Sequence, residues 1–179
     1  ILTKISKFWF EKTKHIIKNH LCVTDISLSQ YLEERCMVVK KTDVVPIEAI
    51  VRGYLAGSAW ETYKKTNVLN SQITTKDYKK NDKLDIPIFT PSTKAKIGDK
   101  DVNIDIPEMK NIIGRELTDK IVKISLDLYS FAYEYAKKKG VIIADTKFEF
   151  GLDSNDELVL IDEIFTPDCS RFWLYDHES

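Results

Sequence analysis

Cysteine and histidine are scarce in this chain, three of each in 179 residues, and their spacing excludes more than their number does. Cys22, Cys36 and Cys169 contain no Cys-x-x-Cys pair, so there is no zinc signature, and an odd, widely spaced set suits a reducing compartment. The cytoplasm is the expected location. His15, His20 and His177 show no metal-ligand spacing. No apolar run approaches the ~18 residues needed to span a bilayer. The opening stretch, ILTKISKFWFEKTKHIIKNH, is aromatic and lysine-dotted where a secretory leader would carry an apolar h-region and a small-residue cleavage site. An excess of one charge is missing too. Lys and Arg total 27 against 28 Asp and Glu, a net charge of -1, which argues against a protein that coats nucleic acid and leaves room for a local basic pocket. What is there is a globular composition, 43% hydrophobic and 31% charged. The length allows one domain with a real core, or one large and one small lobe.

The chain contains no internal repeat. Residues 3–19 predict an amphipathic helix, with Ile5, Phe8, Trp9, Ile16 and Ile17 between lysines. Residues 36–52 alternate and are rich in valine and isoleucine, which predicts two strands broken near residues 41–43, with Pro46 at the start of the second. Residues 64–104 are polar and carry Pro87 and Pro91; they predict a long loop region with little regular structure. From 107 to 139 apolar residues recur at three- and four-residue steps (Ile113, Leu117, Ile121, Ile124, Leu128, Phe131, Tyr135). That predicts a helix, with Gly114 a candidate interruption, lysines at the negative end of its dipole and Gly140 at its exit.

The stretch GVIIADTKFEFG, residues 140–151, starts as a buried strand and then sets Asp145, Lys147 and Glu149 at every second position. Strand side chains alternate faces, so the three charges share one face. A polar turn and a second strand, LVLIDEIF, follow. A hairpin would bring Asp162 roughly opposite Asp145, on the face of Lys147 and Glu149, and a one-residue slip would substitute Glu163. Converging carboxylates repel unless a cation lies among them, and hard oxygen ligands completed by water and phosphates describe a Mg²⁺–nucleotide site. A solvated outer face of a two-stranded ribbon fits the spacing equally well.

In VRGYLAGSAWETYKK, residues 51–65, a strand ends at Arg52, glycines follow, and a helix is predicted to start at Ser58. Ser58 and Glu61 have capping-box spacing, so a plain N-cap explains Ser58. Exposed N–H groups at a helix start and the fork of Arg52 would together also hold a phosphate. PIFTPSTKA (87–95) and DEIFTPDCSRFW (162–173) each carry Thr-Pro, then hydroxyls and a cation, Lys94 or Arg171.

VRGYLAGSAWETY, PIFTPSTKA, IIADTKFEFG and DEIFTPDCSRFW, in this order, resemble the signature segments of the phosphoribosylaminoimidazole-succinocarboxamide synthase (SAICAR synthetase) family. The match runs from LTKISKFWFEKT to about Trp173. The resemblance implies an α+β fold on a two-lobed plan related to ATP-grasp enzymes and protein kinases. Residues 1–45 would be an N-terminal helix, strands and inter-lobe hinge. Residues 46–179 would form the large substrate- and Mg-ATP-binding lobe. It implies a ligase of purine biosynthesis that joins L-aspartate to carboxyaminoimidazole ribonucleotide (CAIR) with ATP and Mg²⁺, giving SAICAR, ADP and phosphate. Arg52, Ser58 and Arg171 fall where the family binds the CAIR phosphate, with Ser92 and Lys94 in a loop closing on aspartate or CAIR. Glu149 and Asp162 fall where it holds Mg²⁺, Asp145 and Lys147 at the reaction site, and Met37, Lys40 and Asp43 in the segment that meets adenine. The family also has a small lobe with a Gly-Lys phosphate loop, which nothing before Ile1 resembles, and C-terminal helices beyond SRFW. The expectation is therefore a middle portion, truncated at both ends, whose activity alone is a separate question. The expected partners are small molecules rather than nucleic acid or membrane, with a homo-oligomer left open. The other readings are a kinase-like phosphotransferase, by analogy of Asp-x-Lys with a kinase catalytic loop, and a non-catalytic nucleotide-binding fragment.

Overall fold

A computed structural model of the protein describes residues 1–22, 32, 35–69, 72–73, 76–94 and 101–175. His177 and residues 95–100 of the expected loop lie outside the described residues. The centre of the fold is an antiparallel sheet. Its long strands are β1 (Asp43–Tyr54), β4 (Lys83–Thr93) and β5 (Val141–Leu152), with the short β6 (Leu158–Ile161) and β7 (Ser170–Leu174). The order is β4-β1-β5-β6, and β7 pairs with β5 as well. The two short strands share the far edge of β5. β6 covers residues 149–152 and β7 covers residues 141–146.

The register fixes the two faces. Ala49 lies opposite Phe148, and Leu160 opposite Phe150; these side chains are buried beneath a long helix. That helix, α4 (Arg115–Lys137), buries Ile121, Leu128, Tyr129, Ala132 and Tyr133 along one stripe, the spacing that lays an apolar face on a sheet. Gly53 allows the closest approach, because a Cβ there would lie 2.0 Å from the Tyr129 hydroxyl, which donates to the Ile143 carbonyl at 2.6 Å. A first helix, α1 (Leu2–Thr13), adds Trp9 and Phe10 to the same core. A second helix, α2 (Gly57–Thr66), closes a smaller cluster of Leu55, Tyr63, Tyr78, Leu84 and Ile88. Between α2 and β4 lies a two-stranded ribbon, β2 (Val68–Leu69) with β3 (Gln72–Ile73). No helix among the described residues is long and apolar enough to cross a membrane.

Several sequence expectations are corrected. The first helix stops at Thr13 rather than near residue 19, because the chain beyond it pairs with β6: Leu160 N–H donates to the Lys18 carbonyl, and His20 N–H to the Leu160 carbonyl. Residues 36–42 form no strand and contribute an isolated bridge, Leu21 with Val39. The expected loop of 64–104 contains β4, eleven residues long, with Pro87 and Pro91 inside it. β4 ends the sheet order, and its outer side is bonded by residues 102–104 near its end rather than by a full strand, so a missing N–H costs little there. The helix expected over 107–139 is present, and Gly114 does interrupt it, leaving two helices. α3 (Ile106–Ile113) opens on an Asp105–Glu108 capping box, and Gly114 at φ +82° separates it from α4. The bend needs glycine's access to positive φ. The hairpin register also differs. Leu152 pairs with Leu158 and Glu149 with Ile161, so Leu158 and Leu160 face the core, and Asp162 does not lie opposite Asp145.

Candidate active site

The face of the sheet away from α4 carries the charges. Residues directly opposite on neighbouring strands share a face, and the register sets out three rows. Ser92, Glu48, Glu149 and Ile161 form the first; Thr90, Ile50 and Lys147 the second; Ile88, Arg52, Asp145 and Arg171 the third. Successive rows are two residues apart, or ~6.6 Å along the strand.

In the third row Arg52 is buried, 5% exposed, and all three edges of its guanidinium are used. Nη1 donates to Asp145 Oδ2 at 2.9 Å, Nη2 to Ser58 Oγ at 3.1 Å, and Nε to Thr90 Oγ1 at 3.0 Å. Burial pushes its pKa down from the usual arginine value, Asp145 works the other way, and nearby Arg171 adds to the lowering. Arg171 Nη1 donates to the same Oδ2 of Asp145, with half of its side chain exposed. Two cations and one anion leave this row a net positive charge. It lines a cavity of about 420 Å³ that also takes in Ser58, Lys147, Asp168 and Ser170.

Ser58 is not the N-cap that its spacing predicts. Helix α2 begins one residue earlier, Ala56 is its cap, and no side chain caps it. The hydroxyl turns to Arg52 instead, because a buried guanidinium needs an acceptor more than a solvent-facing helix end does. Gly57 has φ +56°, and a Cβ on it would lie 2.5 Å from Arg171 Nη2. The glycine thus lets the Arg171 fork rest against the helix start, where the dipole favours an anion.

In the first two rows the charges alternate. Lys147 Nζ donates to Glu48 Oε1 at 2.8 Å and lies 4.0 Å from Glu149 Oε1. Lys94 pairs with Glu149 Oε2, and Ser92 Oγ donates to Glu48 Oε2 at 3.4 Å. Glu48 and Glu149 are both buried and directly opposite, an arrangement that two lysines make tolerable. Burial works against the Lys147 ammonium, but the Glu48 bond and the charges of Glu48, Glu149 and Asp162 outweigh it and raise its pKa. Asp162 follows the last residue of β6 at φ +63°, a left-handed conformation that aspartate adopts more readily than most side chains. That turn ends the strand and leaves the carboxylate exposed, where its charge acts on both Lys147 and His20. Glu163, the alternative under a slipped register, accepts a bond from Thr166 Oγ1 instead.

Met37, Lys40 and Asp43 lie at the other end of the sheet. Met37 packs on the core edge, the Lys40 N–H donates to the His20 carbonyl at 2.7 Å, and Asp43 opens β1 opposite Leu152. Two residues central to this face, Glu48 and Thr90, were not among the sequence candidates. The signal for Glu48 lay in IEAIVRG, where a period of two puts it on the face of Arg52. Thr90 and Ser92 show the same period in PIFTPST. No cluster of three or more His, Cys, Asp or Glu capable of holding a metal occurs among the described residues. Any ion at Glu149 and Asp162 would take most of its ligands from elsewhere.

Fold and site together define a mixed α/β protein with an arginine-lined pocket at one end of a charged sheet face. The comparisons give the family. The family model for SAICAR synthetase matches residues 1–179. The phosphoribosylaminoimidazole-succinocarboxamide synthases of Methylobacillus flagellatus and Cyberlindnera jadinii are 49% and 46% identical, over 98% and 97% of this chain. SAICAR synthase of Saccharomyces cerevisiae, solved with SAICAR bound, superposes with a TM-score of 0.87 at 38% identity, over 99% of this chain and 63% of that one. A type-2 SAICAR synthetase in complex with ADP gives 0.78 at 28% identity, over 99% and 68%. The chain belongs to the SAICAR synthetase family. It spans 62% of the length of both curated relatives.

Proposed function

We propose that the protein catalyses, or supplies the main catalytic lobe for, the ATP-dependent joining of L-aspartate to CAIR. The carrying observation is the order of groups along β5. From the turn end toward β7 run Asp43 opposite Leu152, then Glu149, then Lys147, then Asp145 with Arg52, Ser58 and Arg171. A nucleotide held with adenine at residues 37–43 and phosphates at Glu149 would present its terminal phosphoryl near Lys147. A phosphorylated substrate anchored at Arg52, Ser58 and Arg171 would meet it there. A two-lobed division, with residues 1–45 carrying the hinge, belongs to the same reading. A kinase-like phosphotransferase has no need of the arginine pair.

A carboxylate resists attack by an amine. Phosphorylating the CAIR carboxylate from ATP gives an acyl phosphate, and the aspartate amine then displaces phosphate. The protein's share is position and charge. Arg52, Ser58 and Arg171 hold the ribose phosphate. Lys147, kept protonated by Glu48, meets the moving phosphoryl group. Ser92 and Lys94 sit beside Glu48 and Glu149, on the side from which aspartate would enter. Glu149 and Asp162 are the two carboxylates that would hold Mg²⁺, whose chemistry is to neutralise triphosphate charge. Their donor set fits, being hard oxygens, fewer than a closed site needs, with phosphates and water to complete it.

The test is product formation with omission. The succinocarboxamide should require CAIR, L-aspartate, ATP and Mg²⁺ together. Arg52→Ala should weaken CAIR binding ~30-fold, about 2 kcal/mol for a charge-assisted contact, and leave ATP binding unchanged in calorimetry. Equal loss for both ligands, or succinocarboxamide formed with any one of the four components left out, would overturn the reading.

A further inference from the structure

We propose that Asp145 is a positioning residue that holds Arg52 and Arg171 together as one phosphate clamp and takes no part in proton transfer. The inference rests on the phosphate reading of the two arginines and goes beyond it by giving their shared carboxylate a role. Arg52, Asp145 and Arg171 stand directly opposite one another on β1, β5 and β7. Both guanidinium groups donate through Nη1 to a single oxygen, Oδ2. Asp145 is buried, 5% exposed, and its carboxylate lies under the two forks. Without an anion between them, two guanidinium groups this close repel.

The two arginines differ in what else restrains them. Arg52 keeps Ser58 and Thr90 as acceptors. Arg171 is half exposed, and among the described residues its guanidinium hydrogen-bonds to Asp145. Removing the negative charge therefore releases Arg171 to solvent and leaves Arg52 in place. Loss of Asp145 and loss of Arg171 then become the same event for the ligand. A net charge of +1 in the row also suits a phosphate ester, which carries between one and two negative charges near neutral pH. The pair neutralises much of that charge without binding so tightly that product stays.

The experiment is a double-mutant cycle on the purified protein. It reads the CAIR dissociation constant by calorimetry, with ribose 5-phosphate as a phosphate-only probe, and kcat and KM in the ligation assay. Asp145→Asn and Arg171→Met should each weaken CAIR and ribose 5-phosphate by about tenfold or more, the scale of one charge-assisted contact. The double variant should be no weaker than either single one, since residues acting as a unit are not additive. The loss should appear in KM for CAIR, with kcat within about threefold of wild type. If the effects multiply in the double variant, if kcat collapses while CAIR affinity holds, or if Asp145→Asn binds CAIR more tightly, the proposal is wrong. An Arg171→Met protein that binds CAIR and ribose 5-phosphate like wild type sinks the phosphate reading, and this inference with it. Should Asp145→Asn not fold, Asp145→Glu keeps the charge and shifts the oxygens by one methylene. It should hold kcat within about threefold and confine any CAIR weakening to proteins that retain Arg171; weakening that persists in the Arg171→Met background, or a collapse of kcat, overturns the proposal.

Discussion

Gly57→Ala offers a sharp test of the phosphate pocket, because it touches no charge. Gly57 sits at φ +56°, and an added Cβ would lie 2.5, 2.7 and 2.8 Å from Nη2, Nη1 and Cζ of Arg171. Two costs follow. The left-handed backbone costs a non-glycine residue about 1–2 kcal/mol. At this chain length that lowers Tm by about 2–4 °C per kcal/mol. The steric cost falls on the guanidinium, the mobile end of a half-exposed side chain, so Arg171 swings away and the core is spared. What is lost is the Arg171 contact with the ligand, worth about 1.5–3 kcal/mol, or ~10–150-fold in affinity. Calorimetry with CAIR should show that loss, ADP binding should not change, and the melting curve should drop by only several degrees. In an Arg171→Met background the same glycine change should cost stability alone. If Gly57→Ala lowers Tm yet binds CAIR normally, Arg171 is not part of the phosphate site as the geometry has it.

Two further predictions concern the other end of the charged face. Glu149→Gln keeps shape and removes a carboxylate that lies between Lys94, Lys147 and Glu48. Lost attraction to the two lysines and relieved repulsion from Glu48 oppose each other, so Tm should stay nearly unchanged or rise, while Mn²⁺–ADP affinity, read by electron paramagnetic resonance, should fall at least about tenfold; unchanged affinity would remove Glu149 from the metal site. His20 is buried, and burial, opposed by Asp162, holds its pKa below the ordinary 6.5. The folded state therefore favours the neutral ring. Stability is fully present above pH 6.5, and is lost as the pH falls through that value toward the folded pKa, because the unfolded chain takes up the proton first. His20→Gln should flatten the Tm profile over that window, and equal slopes in both proteins would refute the assignment.

The sequence alone determined the parts that obey a period. Alternation in ADTKFEFG put Asp145, Lys147 and Glu149 on one face, and the apolar steps of residues 117–136 marked the helix beneath the other. The four signature segments carried the family, because their residue identities in order do not depend on packing. Tertiary structure decided the rest. Helix α1 ends early because residues 18–20 hydrogen-bond to β6, a partner far away in sequence. β4 forms despite two prolines because it lies at the sheet edge. Ser58 gives up capping because the fold brings Arg52 within 3.1 Å of its hydroxyl. Glu48 is a central group because Lys147, ninety-nine residues away in the chain, lies within hydrogen-bonding reach of it. Local propensity is read from neighbours a few residues apart, whereas charge pairing and strand register are set by groups that only the closed sheet brings together.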